Sequence, residues 1–234
     1  MRKSLITLST FALFVGAAMA IEDAHRVISD GRYSESQYAT ETDVASGGSS
    51  LTINGGTFNL STTDTVQKNL YGGGKAGSTI VGDTSFIFNG GDIVNISGWT
   101  HSFYGASAEN SLVKGNSTVE INSGNISGTD LQRSGIFGGA GAGSTVEGNV
   151  NVNINGGTIT GMTVFGGGDG AVPCNDINGT YGAYLNKAET SYVKGNVSVN
   201  IGKDATVYYV SAGGRGYNVI EGNTTLTIDG TIKA

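Results

Sequence analysis

"NVNVNINGGTITGMTVFGGG", residues 149–168, alternates polar and apolar side chains up to Asn155, meets Gly156-Gly157, alternates again, and ends on Gly166–Gly168. Alternation with period two marks a strand with one face buried. Alone, the stretch is an ordinary β-hairpin. Its flanking residues recur, however. The tag Val-x-Gly-Asn occurs at 113–116, 146–149 and 193–196, with the variants "IVGD" at 80–83 and "IEGN" at 220–223 and a weaker first copy around Gly47. The six tag glycines, Gly47, Gly82, Gly115, Gly148, Gly195 and Gly222, are spaced by 35, 33, 33, 47 and 27 residues. A fixed period of this length is the signature of a stacked repeat.

Four and six residues beyond each tag glycine lie Leu51/Ile53, Phe86/Phe88, Val119/Ile121, Val152/Ile154, Val199/Ile201 and Leu226/Ile228, all apolar. A second apolar step follows at Phe58, Ile93, Ile126, Ile159 and Val207. The third comes at Leu70-Tyr71, Phe103-Tyr104, Ile136-Phe137, Val164-Phe165 and Tyr209-Val210, each leading into a glycine corner. Three short strands per unit predict an all-β fold: a single-stranded parallel, right-handed β-helix of about six coils over residues 47–234. One coil cannot bury its inner face, so coils must stack.

Two polar columns fit that stack. Asn54, Asn89, Asn122 and Asn155 stand seven residues after the tag glycines, and Asp83, Asn116, Asn149, Asn196 and Asn223 one residue after. Both are predicted to be structural ladders, because Asn and Asp tolerate corner backbones and stacked amides bond to one another. The residue before the glycine runs Val81, Lys114, Glu147, Lys194, Glu221, an alternation that places opposite charges on successive coils.

The other segments bear on location and function. Residues 1–20 carry Arg2 and Lys3, an apolar run and Ala18-Met19-Ala20, the order of a cleavable signal peptide. Export to the cell surface, outer membrane or extracellular space is therefore expected. Loss of two cations leaves 11 Lys+Arg against 19 Asp+Glu, a charge of −8. Such a surface repels nucleic acid, whose binding needs clustered cations. A lone Cys174 forbids an internal disulfide. Residues 21–46 lack the repeat and are expected to cap the first coil. "TTLTIDGTIKA" stops in mid-coil, which suggests a pattern continuing past Ala234 and leaves end-to-end self-association open.

Where the repeat lengthens, loops are expected to bind ligand. The candidates are Trp99, His101 and Tyr104 in and beyond 97–102, and Asp169, Tyr181 and Tyr184 in 169–190. No motif for a metal or cofactor is present: His25 and His101 lie in different coils, and the glycine runs lack phosphate-loop order.

The signal peptide, the repeated V-x-G-N-x-x-V-x-I-N-G-G-x-I and the "VFGGG" and "IFGGA" corners resemble the passenger domains of Gram-negative autotransporters and related β-helical adhesins. The resemblance spans residues 47–234. It implies a longer polypeptide anchored by a C-terminal outer-membrane barrel, with a host or environmental glycan or protein as partner, and it supplies no catalytic motif. The leading expectation is a non-catalytic adhesin-like scaffold. A β-helical polysaccharide lyase or glycoside hydrolase, resting on Asp92, Glu120 or Asp169, is the alternative. Binding of ice or mineral by the outward Ser/Thr/Asn column is the third, weakened by Ile87 and Glu120.

Overall fold

In a computed structural model the described residues are 21–29, 32–33, 36–59, 69–96, 102–128, 134–170 and 189–233. They contain strands and no helix, and every strand pairing is parallel. The sheet curls in a solenoid-like manner, with each segment bonded to its equivalent in the next repeat.

Numbered in chain order, the strands fall into four columns. The first holds β1 (Ile21–Ile28), β4 (Val44–Ile53), β8 (Thr84–Phe88), β12 (Ser117–Ile121), the starts of β16 (Val150–Phe165) and β18 (Val197–Ser211), and β20 (Thr224–Ile228). The second holds β2 (Arg32–Tyr33), β5 (Thr57–Asn59), β9 (Asp92–Ile96), β13 (Asn125–Gly128), the middles of β16 and β18, and β21 (Thr231–Ile232). The third holds β3 (Gln37–Thr40), β6 (Leu70–Gly74), β10 (Ser102–Tyr104), β14 (Gly135–Phe137) and the ends of β16 and β18. The fourth, starting from Val44, holds β7 (Thr79–Ile80), β11 (Leu112–Val113), β15 (Thr145–Val146), β17 (Ser191–Val193) and β19 (Asn218–Ile220).

The fourth column departs from the three-strand expectation. Its strands hold the first residue of each tag, and Ile80, Val113, Val146 and Val193 are buried there. Each of these strands is two or three residues long, too short to show alternation in the sequence.

The apolar inward residues of the first column, from Leu51 to Val199, are at most 1% exposed, and Phe58, Ile93 and Ile159 close the second side. Phe86 and Phe103 stack at 5.9 Å across the interior. In the third column the aromatic partners of the inward residues form a row of their own. Tyr38, Tyr71, Tyr104, Phe137 and Phe165 stack at 4.9, 4.8, 5.1 and 5.0 Å. At the last coil the expected Tyr209-Val210 step slips by one. Val210 pairs with Val164 and Ser211 with Phe165, so the aromatic row ends there.

Among the described residues of 21–46, β1 pairs with β4 from Ala24↔Ser49 to Ile28↔Ile53. Backbone pairing survives without the apolar alternation that signalled it elsewhere.

Corners follow from two constraints. Gly56, Gly91, Gly124 and Gly157 have φ of +98°, +101°, +95° and +88°, the left-handed region that side chains disfavour. The tag glycines instead lack space. A Cβ on Gly115 would lie 2.5 Å from the Gly82 carbonyl carbon, and one on Gly148 2.5 Å from the Gly115 oxygen.

Both polar columns connect neighbouring coils. Asn89 Nδ2 donates to Asn54 Oδ1, Asn122 to Asn89 and Asn155 to Asn122, each at 2.8 Å. The tag column bonds differently. The backbone N–H groups of Asn116, Asn149, Asn196 and Asn223 donate to the side-chain oxygens of Asp83, Asn116, Asn149 and Asn196 at 2.7–2.9 Å. A corner N–H has no ladder carbonyl opposite, so the preceding side chain supplies the acceptor. In the charged column Lys194 Nζ meets Glu147 Oε1 at 3.0 Å.

Candidate functional site

Of the six candidate ligand-binding residues, Trp99, His101, Tyr181 and Tyr184 lie outside the described residues. Tyr104 and Asp169, 65 positions apart in sequence, are brought together: the Tyr104 hydroxyl donates to Asp169 Oδ2 at 3.0 Å. Tyr104 stands inside the aromatic row and is buried. Asp169 stands on the glycine corner that follows the third column, where its N–H donates to Ala140. The intervening coil has Gly141 at the equivalent place, bonded through its N–H to Ser107, and offers no side chain between them.

Arg215 completes the cluster. Its Nε donates to Asp169 Oδ1 at 2.8 Å and its Nη2 to Asp169 Oδ2 at 2.7 Å, a two-pronged pair whose side chains are 23% and 17% exposed. The guanidinium also lies 4.9 Å above the centre of the Phe137 ring, the geometry of a cation–π contact. Asp169 thus accepts three charge-assisted or hydroxyl hydrogen bonds, with donors on both of its oxygens. A carboxylate so engaged is poorly placed to attack or to pull a proton from a substrate.

Glu109 and Glu189 make the surroundings acidic. Burial lifts the Glu109 carboxyl above the ordinary carboxylate range, opposed by a hydrogen bond to its own backbone and reinforced by the charges of Asp169 and Glu189. Burial also pushes the Tyr104 hydroxyl well above its usual value, with the Asp169 charge adding to the effect. Tyr71 shifts the same way for the same first reason, while its oxygen accepts a 2.7 Å bond from Asn69 Nδ2.

Arg215, Glu109 and Phe137 were not singled out from the sequence. Arg215 had a signal: laying "GGGDG" (166–170) over "AGGRG" (212–216) puts Asp169 beside Arg215, and the two do form a parallel bridge. Glu109 had none, since its repeat equivalents are Ala76, Ala142 and Gly170. Among the described residues no three His, Cys, Asp or Glu side chains group to hold a metal ion. The other two carboxylates considered for catalysis bond within the scaffold, Asp92 to Asn125 at 2.9 Å and Glu120 to Asn122 at 2.9 Å.

Comparison with protein families, curated proteins and solved structures finds no match to the chain.

Proposed function

We propose that this chain is an exported, non-catalytic adhesin-like scaffold: a closed, right-handed, single-stranded β-helix that presents the segments between its repeats to a glycan or protein. On this reading the columns are the walls of the helix. The six tag coils form its body, and residues 21–46 add one more turn. Location at the cell surface, as in an autotransporter passenger, belongs to the same proposal.

One observation carries it. The longest interruption of the repeat, residues 171–188, is flanked by two tied points. On the departing side Asp169 is held by Arg215 and Tyr104, and the Gly170 N–H donates to the Arg215 carbonyl at 2.9 Å. On the returning side the Ser191 N–H donates to Tyr217 at 2.9 Å, and Asn218 Nδ2 donates to the Ser191 hydroxyl at 2.8 Å. Polar groups that could serve chemistry are spent on fixing these ends. A fixed mounting lowers the ordering cost of whatever the segment binds.

The test replaces residues 171–188 by a short Gly-Ser linker and probes glycan and protein arrays with both forms. Binding by the parent chain, lost in the replacement at unchanged melting temperature, supports the reading. Equal binding by both forms removes the segment from it. Fractionation of the native cells tests the location, since a product confined to the cytoplasm contradicts export.

Glu109 favours a second reading. A carboxyl raised by burial beside two further carboxylates is the composition of a glycan-cleaving acid site. Release of reducing ends or unsaturated products from polysaccharides, abolished in Glu109→Gln, would establish that reading instead.

A further inference from the structure

Three rungs of the asparagine ladder are followed by glycine: Asn54-Gly55, Asn89-Gly90 and Asn155-Gly156. A further such pair, Asn178-Gly179, lies outside the described residues. An asparagine before glycine is open to attack on its own side chain, because the next backbone nitrogen can approach the side-chain carbonyl with no Cβ in the way. All three rungs are exposed. The ladder nevertheless holds them in three different states.

Asn54 begins the ladder. Its Oδ1 accepts from Asn89 Nδ2 at 2.8 Å, while its own Nδ2 has no hydrogen-bond partner among the described residues. The Gly55 N–H has no acceptor among them either. The carbonyl to be attacked is thus polarised, the amine to be expelled is unheld, and the attacking nitrogen is unengaged. Asn89 shares two of these features, since its Oδ1 accepts from Asn122 and the Gly90 N–H is unbonded, but its Nδ2 is bound to Asn54. Asn155 has none of them. Its Nδ2 is bound to Asn122, no donor among the described residues reaches its Oδ1, and Gly156 lies within β16, paired with Asp204.

We propose that Asn54 is a self-modifying site, converted to aspartate in the folded chain. The Gly55 nitrogen bonds to Asn54 Cγ, its proton passing through solvent to Nδ2; the Cγ–Nδ2 bond breaks and ammonia leaves a five-membered imide. Charge developing on Oδ1 is stabilised by the Asn89 donor. Water then opens the ring at Cγ, its hydroxyl going to that carbon and its proton to the Gly55 nitrogen. Opening at the backbone carbonyl instead would give isoaspartate, with a methylene inserted into the main chain. The register of Ile53 with Phe88 and of Thr57 with Asp92 fixes both ends of that corner and favours the first route.

The product suits the place. A first rung needs only to accept, and two other columns already start their side-chain bonding from a carboxylate. Asp83 Oδ1 accepts from the Asn116 N–H at 2.7 Å, and Asp92 Oδ1 accepts from Asn125 Nδ2 at 2.9 Å. Aspartate at position 54 makes the bond from Asn89 a charge-assisted one. The same change at Asn89 would remove the donor on which Asn54 depends.

The three rungs sit in nearly the same local sequence, Ile or Phe before and Gly-Gly after, so any difference between them reports the fold. Peptide mass mapping of the folded protein during incubation in mildly alkaline buffer is expected to show the amide-to-acid mass shift at Asn54 first, more slowly at Asn89, and not at Asn155. Aspartate should exceed isoaspartate when compared with synthetic peptides. In urea the three sites should react at similar rates. Gly55→Ala should slow the reaction at Asn54 while the fold is kept, because a Cβ there lies 3.5 Å from its nearest neighbour, the Ser29 oxygen, and the φ is ordinary. Asn54→Asp should melt no lower than the parent. An Asn54 that stays an amide in the folded chain while reacting in urea overturns the proposal. So does a faster reaction at Asn155, an unchanged rate in Gly55→Ala, isoaspartate as the main product, or a lower melting temperature in Asn54→Asp.

Discussion

Replacing Gly148 by Ala separates two explanations of the tag glycine. One is conformational, that only glycine adopts the backbone; the other is spatial, that the coils approach too closely for a side chain. Gly148 is not among the positive-φ glycines, so the structure commits to the second. A Cβ there would sit 2.5 Å from the Gly115 oxygen, 2.7 Å from Asn116 Oδ1 and 2.7 Å from the Gly115 carbonyl carbon. Ordinary contact needs about 3.4 Å or more, and two of these atoms are backbone, which cannot swing aside. Relief would stretch the coil spacing at the tag and strain the 2.9 Å bond from the Asn149 N–H to Asn116 Oδ1. Overpacking of this kind costs roughly 1–3 kcal/mol, and the strained bond about another 0.5–1.5 kcal/mol. A total of roughly 2–4 kcal/mol lowers the melting temperature by about 5–15 °C in a chain of this size. Gly213→Ala is the control, because its nearest heavy atom beyond the neighbours is 3.7 Å away and its φ is ordinary. That change should be neutral or stabilise by up to about 1 kcal/mol. Urea titrations followed by circular dichroism supply both values. If Gly148→Ala comes within about 0.5 kcal/mol of the parent, close coil approach is not why the tag contains glycine.

Other perturbations probe the ladders and charges. Asn122→Ala removes an inter-coil bond on each side, to Asn89 and from Asn155, and is expected to cost about 1–2 kcal/mol. Asn54→Ala removes the 2.8 Å bond to Asn89 and should cost about half as much in the same titration. Glu147→Lys breaks the 3.0 Å pair with Lys194, whose side chains are 48 and 37% exposed, so the loss should stay below about 1 kcal/mol and shrink as salt rises. An equal loss at low and high salt would show that the charge pair is not its cause. For Glu109 the folded-state pKa is raised, so protonation favours the folded chain. Its contribution is fully present below the unfolded carboxylate value and is lost as pH climbs through the folded value. Glu109→Gln should therefore raise stability at neutral pH and converge with the parent in acid, which melting curves across pH would reveal.

Much of the architecture was legible because repetition multiplies weak signals. A single "VNVNI" is ambiguous, but six aligned copies identify the inward rows before any contact is known. The asparagine positions stood out for the same reason, and the 2.8 Å amide bonds from Asn54 to Asn155 join those residues. What escaped is what does not alternate. The fourth column is two or three residues long per coil, below the length at which period two can appear. β1 pairs through its backbone while placing Arg26 where neighbouring coils place Leu51 and Phe86.

The candidate site was less legible, for a related physical reason. Stacking rewards sameness, because each coil offers its neighbour the same surface; a residue that acts once must break the pattern and so appears once. Asp169 follows Lys75, Ala108 and Gly141 in its column, and Arg215 stands there one coil later. Each looks like an accident alone. Together they are one pair, since the stack turns 46 residues of sequence into a contact of 2.7 Å.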